Sequence, residues 1–186
     1  RVLSFMAYGA LVWLPMPADY QSWVGGVEES LGRALNSYGI MIPEWWIGGF
    51  ETPQPNERAR AVMVEEIIHA FTQFGYASAY PSAFGVNDWS SVIAQETQRA
   101  QCDWWQHPEN SCPDQPSVGG DCSYPSCDVT EFYHQVVVLR AGMTPAWFGD
   151  RFPRTREELE ARLSPEIKAV IDDPTYHQIR SPFTFT

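Results

Sequence analysis

The sequence predicts a single, mainly α-helical domain of the α+β class, with at most a small sheet. Its length of 186 residues suits one domain, and a hydrophobic fraction of 44% is ample for a core. Apolar residues recur at helical spacing in several segments, whereas only the segments near 2–14 and 40–50 are typical of strands. We therefore expect residues 1–186 to form one domain, with a cysteine-rich loop at 106–127 and an appendage at 150–186.

The N-terminal segments are apolar but interrupted. Residues 2–15 are too few to span a membrane and indicate a buried strand or helix of an already processed chain. Residues 21–38 carry apolar side chains at helical spacing, and Gly39 stands where a C-terminal cap would stand. Residues 40–50 are apolar and aromatic, and Pro43 limits them to a short strand or extended segment.

The strongest helical pattern covers residues 57–74. A broad apolar face predicts this helix, and Gly75 follows as its expected end. The face consists of Ala59, Val62, Met63, Ile67, Ala70, Phe71 and Phe74. A second helix is predicted over residues 89–103, with Asp88 as its N-cap.

Further helices are predicted in the last third of the chain. Asp128 or Thr130 is a suitable N-cap for a helix over residues 129–141, and Gly142 is a suitable end. Two short helices follow, and their start signals are the capping box Thr155-x-x-Glu158 and the sequence Ser164-Pro165-Glu166.

Four cysteines lie in one polar segment, and they predict two disulfide bonds. They are Cys102, Cys112, Cys122 and Cys127. Three pairings are possible, and we favour Cys102–Cys112 with Cys122–Cys127 because both close short loops. A zinc site built from all four cysteines is the alternative, but the spacings are not those of a zinc ribbon. Disulfides would indicate a secreted or periplasmic protein.

The charge of the chain limits its partners. The formal net charge is −11, and Lys168 is the single lysine. Nucleic-acid binding depends on neutralising phosphates, so we expect no nucleic acid as a partner. No stretch reaches the roughly 18 apolar residues that a membrane span needs.

Two carboxylates and an imidazole lie inside a largely apolar helical run, at Glu65, Glu66 and His69. Burying such groups without partners is costly, so they need a partner. Both glutamates precede His69 by three or four residues, and the three side chains can converge. This spacing is typical of a helical metal site. The alternative is an exposed polar stripe, or a core histidine bonded to one glutamate.

A second pair, Glu131 and His134, repeats the Glu-x-x-His spacing at the start of an apolar helix. The helix dipole favours an acid in the first turn, which explains Glu131 without a metal. It does not explain the apolar residues around the pair. Two such clusters on two helices therefore favour a metal site.

Two kinds of metal site fit these residues. In a zincin-type site, Glu65, His69 and Glu131 are the metal ligands, and Glu66 is the catalytic base that acts on a water. The other kind is a di-iron carboxylate bundle. Its ligands, in chain order, would be Glu29, Glu66, His69, Glu96, Glu131 and His134. The disulfide loop, the broken helices and the many prolines oppose a bundle, so we favour the zincin-type site.

Two stretches resemble segments of an uncharacterised family of secreted, zincin-like proteins related to gluzincin metallopeptidases: VEEIIHAFTQFGYASAYPSAFG and CSYPSCDVTEFYHQVVVLRAGM. The C-terminal DDPTYHQIRSPFTF also resembles that family, and the resemblance covers roughly residues 24–183. It implies a zincin-like fold and gives less support to His134, whose position is aromatic in the family. It also implies functional roles for Glu65, Glu66, His69 and Glu131.

The glutamate at position 65 changes the expected chemistry. Glu65, His69 and Glu131 would neutralise a divalent ion, whereas two histidines and one glutamate leave one positive charge and a stronger Lewis acid. We expect one divalent metal, zinc first, with manganese, calcium or iron as alternatives. The predicted function is a metal-dependent, peptidase-like hydrolase acting on a peptide or protein. The alternative is a non-catalytic, metal-stabilised binding or assembly domain.

Overall fold

The computed structural model describes residues 1–3, 11–16, 38–43, 57–105, 125–148 and 151–182. Helices account for most of these residues, so the mainly α-helical class is confirmed. Within this part of the chain, no helix is long and apolar enough to cross a membrane.

Two strands pair near the N-terminus. Strand β1 (Leu11–Met16) runs parallel to strand β2 (Tyr38–Pro43), in a register that pairs Leu11 with Tyr38 and Met16 with Pro43. They overlap the two segments in which strands were expected. Gly39 is paired within β2 and does not cap a helix, so that prediction is wrong. Tyr38, the last residue of the helix predicted over 21–38, also lies in β2, whereas residues 21–37 lie outside the described residues.

Helix α1 spans Glu57–Ala70, and the backbone stays helical beyond Ala70 with a different hydrogen-bond pattern. It continues as a π-helical turn (Phe71–Tyr76) and a further α-helical turn (Ala77–Ala79). The N–H of Ala77 donates to the carbonyl of Thr72, five residues earlier, which is the bond of a π-turn. The predicted end at Gly75 is therefore wrong. Gly75 is buried inside the turn, where the extra residue is accommodated without breaking the helix.

Helix α2 (Val92–Asp103) follows a turn at Pro81–Phe84. Its N-cap is Ser91, whose side chain accepts a hydrogen bond from the N–H of Ala94 at 3.1 Å. The prediction of Asp88 as the cap is wrong, because the Asp88 carboxylate instead accepts from the N–H of Ser90 at 2.8 Å.

Helix α3 (Pro125–Arg140) begins earlier than the sequence indicated. Asp128 and Thr130 lie inside the helix, and the Thr130 hydroxyl donates to the carbonyl of Ser126. Neither residue is the N-cap. The predicted end is confirmed: Gly142 has a φ of 79°, and the N–H of Met143 donates to the carbonyl of Val138 at 3.0 Å.

Two short helices complete the described chain. Helix α4 (Arg156–Arg162) has the predicted capping box, and helix α5 (Pro165–Asp172) has Ser164 as its N-cap. A 3₁₀ turn follows at Pro174–Tyr176. Arg140, at the end of α3, donates to Glu160 of α4 at 2.6 Å and to Asp172 of α5 at 2.9 Å.

One hydrophobic core joins α1, α2, α3, α4 and α5. The largest fully buried apolar side chains are Trp105, Tyr133, Phe84, Phe132, Ile93, Leu159 and Ile167. Helices α4 and α5 supply Leu159 and Ile167 to this core, within the segment predicted to be an appendage. The packing fixes α1 against α3, and that contact positions the site described below.

Both cysteines in the described residues, Cys102 and Cys127, are disulfide-bonded. Cys102 lies in α2 and Cys127 lies in the first turn of α3. The predicted pairing involves Cys112 and Cys122, which lie outside the described residues, so the pairing stays a prediction.

Candidate metal centre

Four side chains from two helices converge where α1 packs on α3. Helix α1 contributes Glu65 and His69, and helix α3 contributes Glu131 and His134. One ligand atom from each residue lies within 4.8 Å of the other three. The spacing of four residues on α1 and three on α3 places each pair on one helix face, so two helices suffice to build the cluster.

Three of these atoms form a nearly equilateral triangle. His69 Nε2 lies 3.3 Å from His134 Nδ1. Glu131 Oε2 lies 3.6 Å from the first nitrogen and 3.4 Å from the second. Zinc ligands at about 2.1 Å from the metal in tetrahedral geometry are about 3.4 Å apart. The triangle therefore has the dimensions of one face of a zinc coordination tetrahedron.

The outer nitrogen of each imidazole faces a carboxylate of α1. His134 Nε2 lies 3.7 Å from Glu65 Oε1, and His69 Nδ1 lies 3.8 Å from Glu66 Oε2. Glu65 Oε1 also accepts a hydrogen bond from the indole N–H of Trp147 at 2.9 Å. Carboxylates in this position orient metal-binding histidines and raise their basicity.

Burial keeps both histidines neutral. Desolvation lowers the pKa of His69 to about 4, against the opposing effect of Glu131. It also lowers the pKa of His134 to about 4, against the opposing effect of Glu65. Neutral imidazole is the form that binds metals, so both side chains are available as ligands near neutral pH.

The pKa of the Glu65 carboxyl is shifted in the opposite direction. Desolvation, with a contribution from the nearby charge of Glu131, raises the pKa of Glu65 to about 7 against the lowering effects of His134 and Trp147. Among the described residues, Glu131 Oε2 and His134 Nε2 are buried atoms without a conventional hydrogen-bond partner. A divalent cation would compensate this arrangement, since it stabilises crowded carboxylates and uses unpaired lone pairs.

The kinds of ligand atom in the cluster favour some metal ions over others. Two imidazoles with one or two carboxylates suit zinc, and they also suit Fe²⁺ or Mn²⁺. Calcium takes oxygen ligands, so calcium fits this cluster poorly.

The cluster is buried on one side and accessible on the other. The exposed fractions of the side chains are 0% for His134, 9% for Glu65, 14% for His69, 19% for Glu131 and 31% for Glu66. Solvent therefore reaches the cluster on the side of Glu66 and Glu131.

The structure brings together the three predicted ligands, Glu65, His69 and Glu131. The predicted base, Glu66, lies beside them against His69. The structure also brings His134 into the cluster, although the favoured zincin-type ligand set omitted this residue. The Glu-x-x-His repeat was the signal for His134, because an i, i+3 pair on a buried helix face must converge.

The di-iron set is not brought together in the described residues. Glu96 forms a two-pronged ion pair with Arg99, at 2.9 and 2.5 Å, and accepts from the N–H of Ser164 at 3.2 Å. These bonds use the Glu96 carboxylate to join α2 to the start of α5. Glu29, the other lone glutamate of that set, lies outside the described residues.

No protein-family model, curated protein or solved structure matches this chain. The resemblance to zincin-like proteins thus stands on the quoted motifs alone, and the geometry of the four residues is the basis for a functional argument.

Proposed function

We propose that the protein is a metal-dependent hydrolase that binds one divalent ion, zinc first, through His69 Nε2, His134 Nδ1 and Glu131. The observation that carries this proposal is the triangle of 3.3, 3.4 and 3.6 Å between these three ligand atoms. Two histidines and one carboxylate with a further position open is a ligand set of catalytic zinc sites.

The charge of this set supports hydrolysis. Two neutral imidazoles and one carboxylate leave one positive charge on a divalent ion, whereas the set expected from sequence would leave none. A bound ion with that charge supplies Lewis-acid polarisation of a carbonyl and acidifies a water. In this proposal Glu65 is a positioning residue that faces the outer nitrogen of His134 at 3.7 Å.

The accessible side of the cluster supplies a catalytic base. Glu66 is the most exposed of these carboxylates, and its Oε2 lies 3.8 Å from His69 Nδ1, the ring nitrogen turned away from the triangle, so this side chain has to rotate toward the triangle to act as the base. A carboxylate at the open side can take a proton from a water during attack on a carbonyl. We propose a peptide or protein as the substrate, and an extracytoplasmic location in agreement with the disulfide-bonded cysteines.

Metal analysis of protein purified without chelator is the first test. We expect one equivalent of zinc per chain, and reconstitution with Co²⁺ that gives the intense visible absorption of a four- or five-coordinate site. A casein-derived peptide mixture would then be incubated with the zinc form and with Glu66→Gln. Loss of cleavage in Glu66→Gln with metal content unchanged supports the hydrolase.

A closed structural site is the competing function, and the full burial of His134 favours it. In that case Glu65 completes the coordination, and the domain serves binding or assembly. The Co²⁺ form distinguishes the two. An open site changes its absorption when a hydroxamate is added, whereas a closed site does not respond. Two equivalents of iron would contradict both functions.

A further inference from the structure

The indole of Trp147 reaches the metal cluster from a segment that lies outside the two cluster helices. Trp147 follows the end of α3, and its Nε1–H donates a hydrogen bond to Glu65 Oε1 at 2.9 Å. Its ring centroid lies 6.2 Å from that of His134. Trp147 therefore lies beside both a proposed metal ligand and the carboxylate behind that ligand.

The hydrophobic core fixes the direction of this N–H bond. Trp147 is half-buried, and its ring packs on that of Trp105, with centroids 6.4 Å apart. Trp105 is fully buried and packs in turn on Phe132 of α3, with centroids 5.3 Å apart. An indole has one donor and no acceptor, so a ring held in this way directs its N–H at Glu65.

Glu65 lies just outside the triangle of ligand atoms. The three atoms of the triangle are at most 3.6 Å apart, whereas the four-residue cluster that includes Glu65 extends to 4.8 Å. Ligands of a tetrahedral zinc ion are about 3.4 Å apart, so Glu65 has to move inward to complete such a site. The oxygen that Trp147 binds, Oε1, faces His134 Nε2 at 3.7 Å, on the side of the ring that points away from the triangle.

Two effects compete for the Glu65 carboxylate. A divalent ion in the triangle attracts it inward, toward Glu131, whose charge already acts on Glu65. The N–H of Trp147 holds it outward, and within the described residues no other N–H donates to Glu65 Oε1 at hydrogen-bond distance. Because Glu65 is only 7% exposed, water does not readily replace the indole as a donor. A buried hydrogen bond to a charged group shifts an equilibrium by about 10- to 100-fold.

We propose that Trp147 is a positioning residue that keeps Glu65 out of the metal coordination and thereby keeps one coordination position open. This role rests on the proposed metal site, since it decides how many of the four clustered residues bind the ion. A catalytic site needs the open position for water or substrate, and a fourth protein ligand would close it. The indole restrains Glu65 without adding a charge, so the charge of the site is unchanged.

Titration of the Co²⁺ form with acetohydroxamate tests this role. Binding at an open position changes the visible absorption, which gives a dissociation constant for the unmodified protein and for Trp147→Phe. We expect this constant to rise at least about ten-fold in Trp147→Phe, because Glu65 then occupies the position. The zinc affinity of Trp147→Phe should not fall, because Glu65 becomes a direct ligand.

Further variants separate the role of Glu65 from general damage. Trp147→Phe combined with Glu65→Gln, at saturating Co²⁺, should bind acetohydroxamate as Glu65→Gln alone does, because a neutral amide is not drawn to the ion by charge. Trp147→Leu removes the same donor should the phenylalanine variant fail to fold. Trp89→Phe, a half-buried tryptophan whose indole is not part of the cluster, is the matched control and should behave as the unmodified protein does.

Equal acetohydroxamate affinity in the unmodified protein and in folded Trp147→Phe would overturn the role of Trp147 and leave the proposed function intact. Weaker binding of both zinc and acetohydroxamate in Trp147→Phe would overturn that role too, since it indicates general damage to the site. An unmodified Co²⁺ form that does not respond to acetohydroxamate would overturn the open site itself, and the role of Trp147 with it.

Discussion

His69 Nε2 and His134 Nδ1 face each other at 3.3 Å across the contact between α1 and α3. The two rings meet edge to face, with centroids 5.0 Å apart and an interplanar angle of 78°. Burial favours the neutral form of both imidazoles, and in the tautomers that carry the proton on the outer nitrogens both facing nitrogens present lone pairs. Glu131 Oε2 lies within 3.6 Å of both. Two lone pairs and a carboxylate oxygen directed at one point are an arrangement that a cation stabilises.

Replacing His134 should abolish stoichiometric metal binding. His134→Gln keeps a buried polar side chain but removes the imidazole, and we expect zinc affinity to fall by at least about 100-fold, since even residues that only orient ligands contribute 10- to 100-fold. Competition with a chromophoric zinc chelator measures the change. His177→Asn is the matched control, because His177 lies outside the cluster and asparagine tolerates its left-handed backbone. Equal zinc affinity in the unmodified protein and His134→Gln would exclude the proposed triangle.

Glu131 and Glu96 should differ in what they support. Glu131→Ala should lose bound metal, whereas Glu96→Ala should retain it and lower the free energy of unfolding by about 1–3 kcal/mol. The reason is that Glu96 binds Arg99 and the N–H of Ser164, away from the cluster. Metal content and urea unfolding of the two variants decide the matter. Equal loss of metal in both variants would restore the di-iron arrangement.

Metal affinity should weaken as the pH falls below 7. Burial raises the pKa of Glu65 to about 7, and a cation in the triangle favours its ionised form, so binding releases that proton. Below this pKa the affinity should fall by up to about ten-fold per pH unit, since each unit is about 1.4 kcal/mol. The pKa values of His69 and His134, lowered to about 4, add no competition above about pH 5.

Glu65→Gln isolates that effect. Without a titrating group at position 65, the zinc affinity should be nearly constant between pH 8 and pH 5.5, and at pH 8 it should be about 10- to 100-fold weaker than in the unmodified protein. Isothermal titration calorimetry in buffers of different ionisation enthalpy counts the released proton. The same pH slope in both proteins would show that Glu65 does not respond to the metal.

Local patterns predicted much of the helical fold and three of the four clustered residues. Helix ends that depend on neighbouring residues alone were predicted correctly. Thr155 starts a helix through its capping box, and Gly142 ends one through its left-handed backbone. The end of the first helix was predicted wrongly for two reasons. A single π-turn leaves no recognisable spacing of apolar residues in the sequence, and a glycine such as Gly75 is a usual sign of a helix end. The cap of α2 was missed because Asp88 and Ser91 are both good caps, and tertiary packing chose between them.

His134 shows why the site was only partly predicted. The sequence singled out His134 together with Glu131, but the resemblance to zincin-like proteins gave His134 less support, so the favoured ligand set omitted it. Spacing alone also does not say which helix packs opposite. The contact between α1 and α3 supplies that information, and it depends on core residues such as Val129 and Val136. The position of Glu65 was also only partly predictable. Its closeness to His69 follows from the sequence spacing, whereas its position at the outer nitrogen of His134 follows only from the packing of the two helices.

Trp147 should report metal binding by fluorescence. Its indole N–H donates to Glu65 at 2.9 Å, and its ring centroid lies 6.2 Å from that of His134. Metal binding withdraws charge from both neighbours, so we expect a saturable change in emission when zinc is added to chelator-treated protein. Trp147→Phe keeps an aromatic ring and should remove most of that change, while Trp89→Phe, whose indole is not part of the cluster, should retain it. A response that disappears in Trp89→Phe and persists in Trp147→Phe would place the metal away from His134.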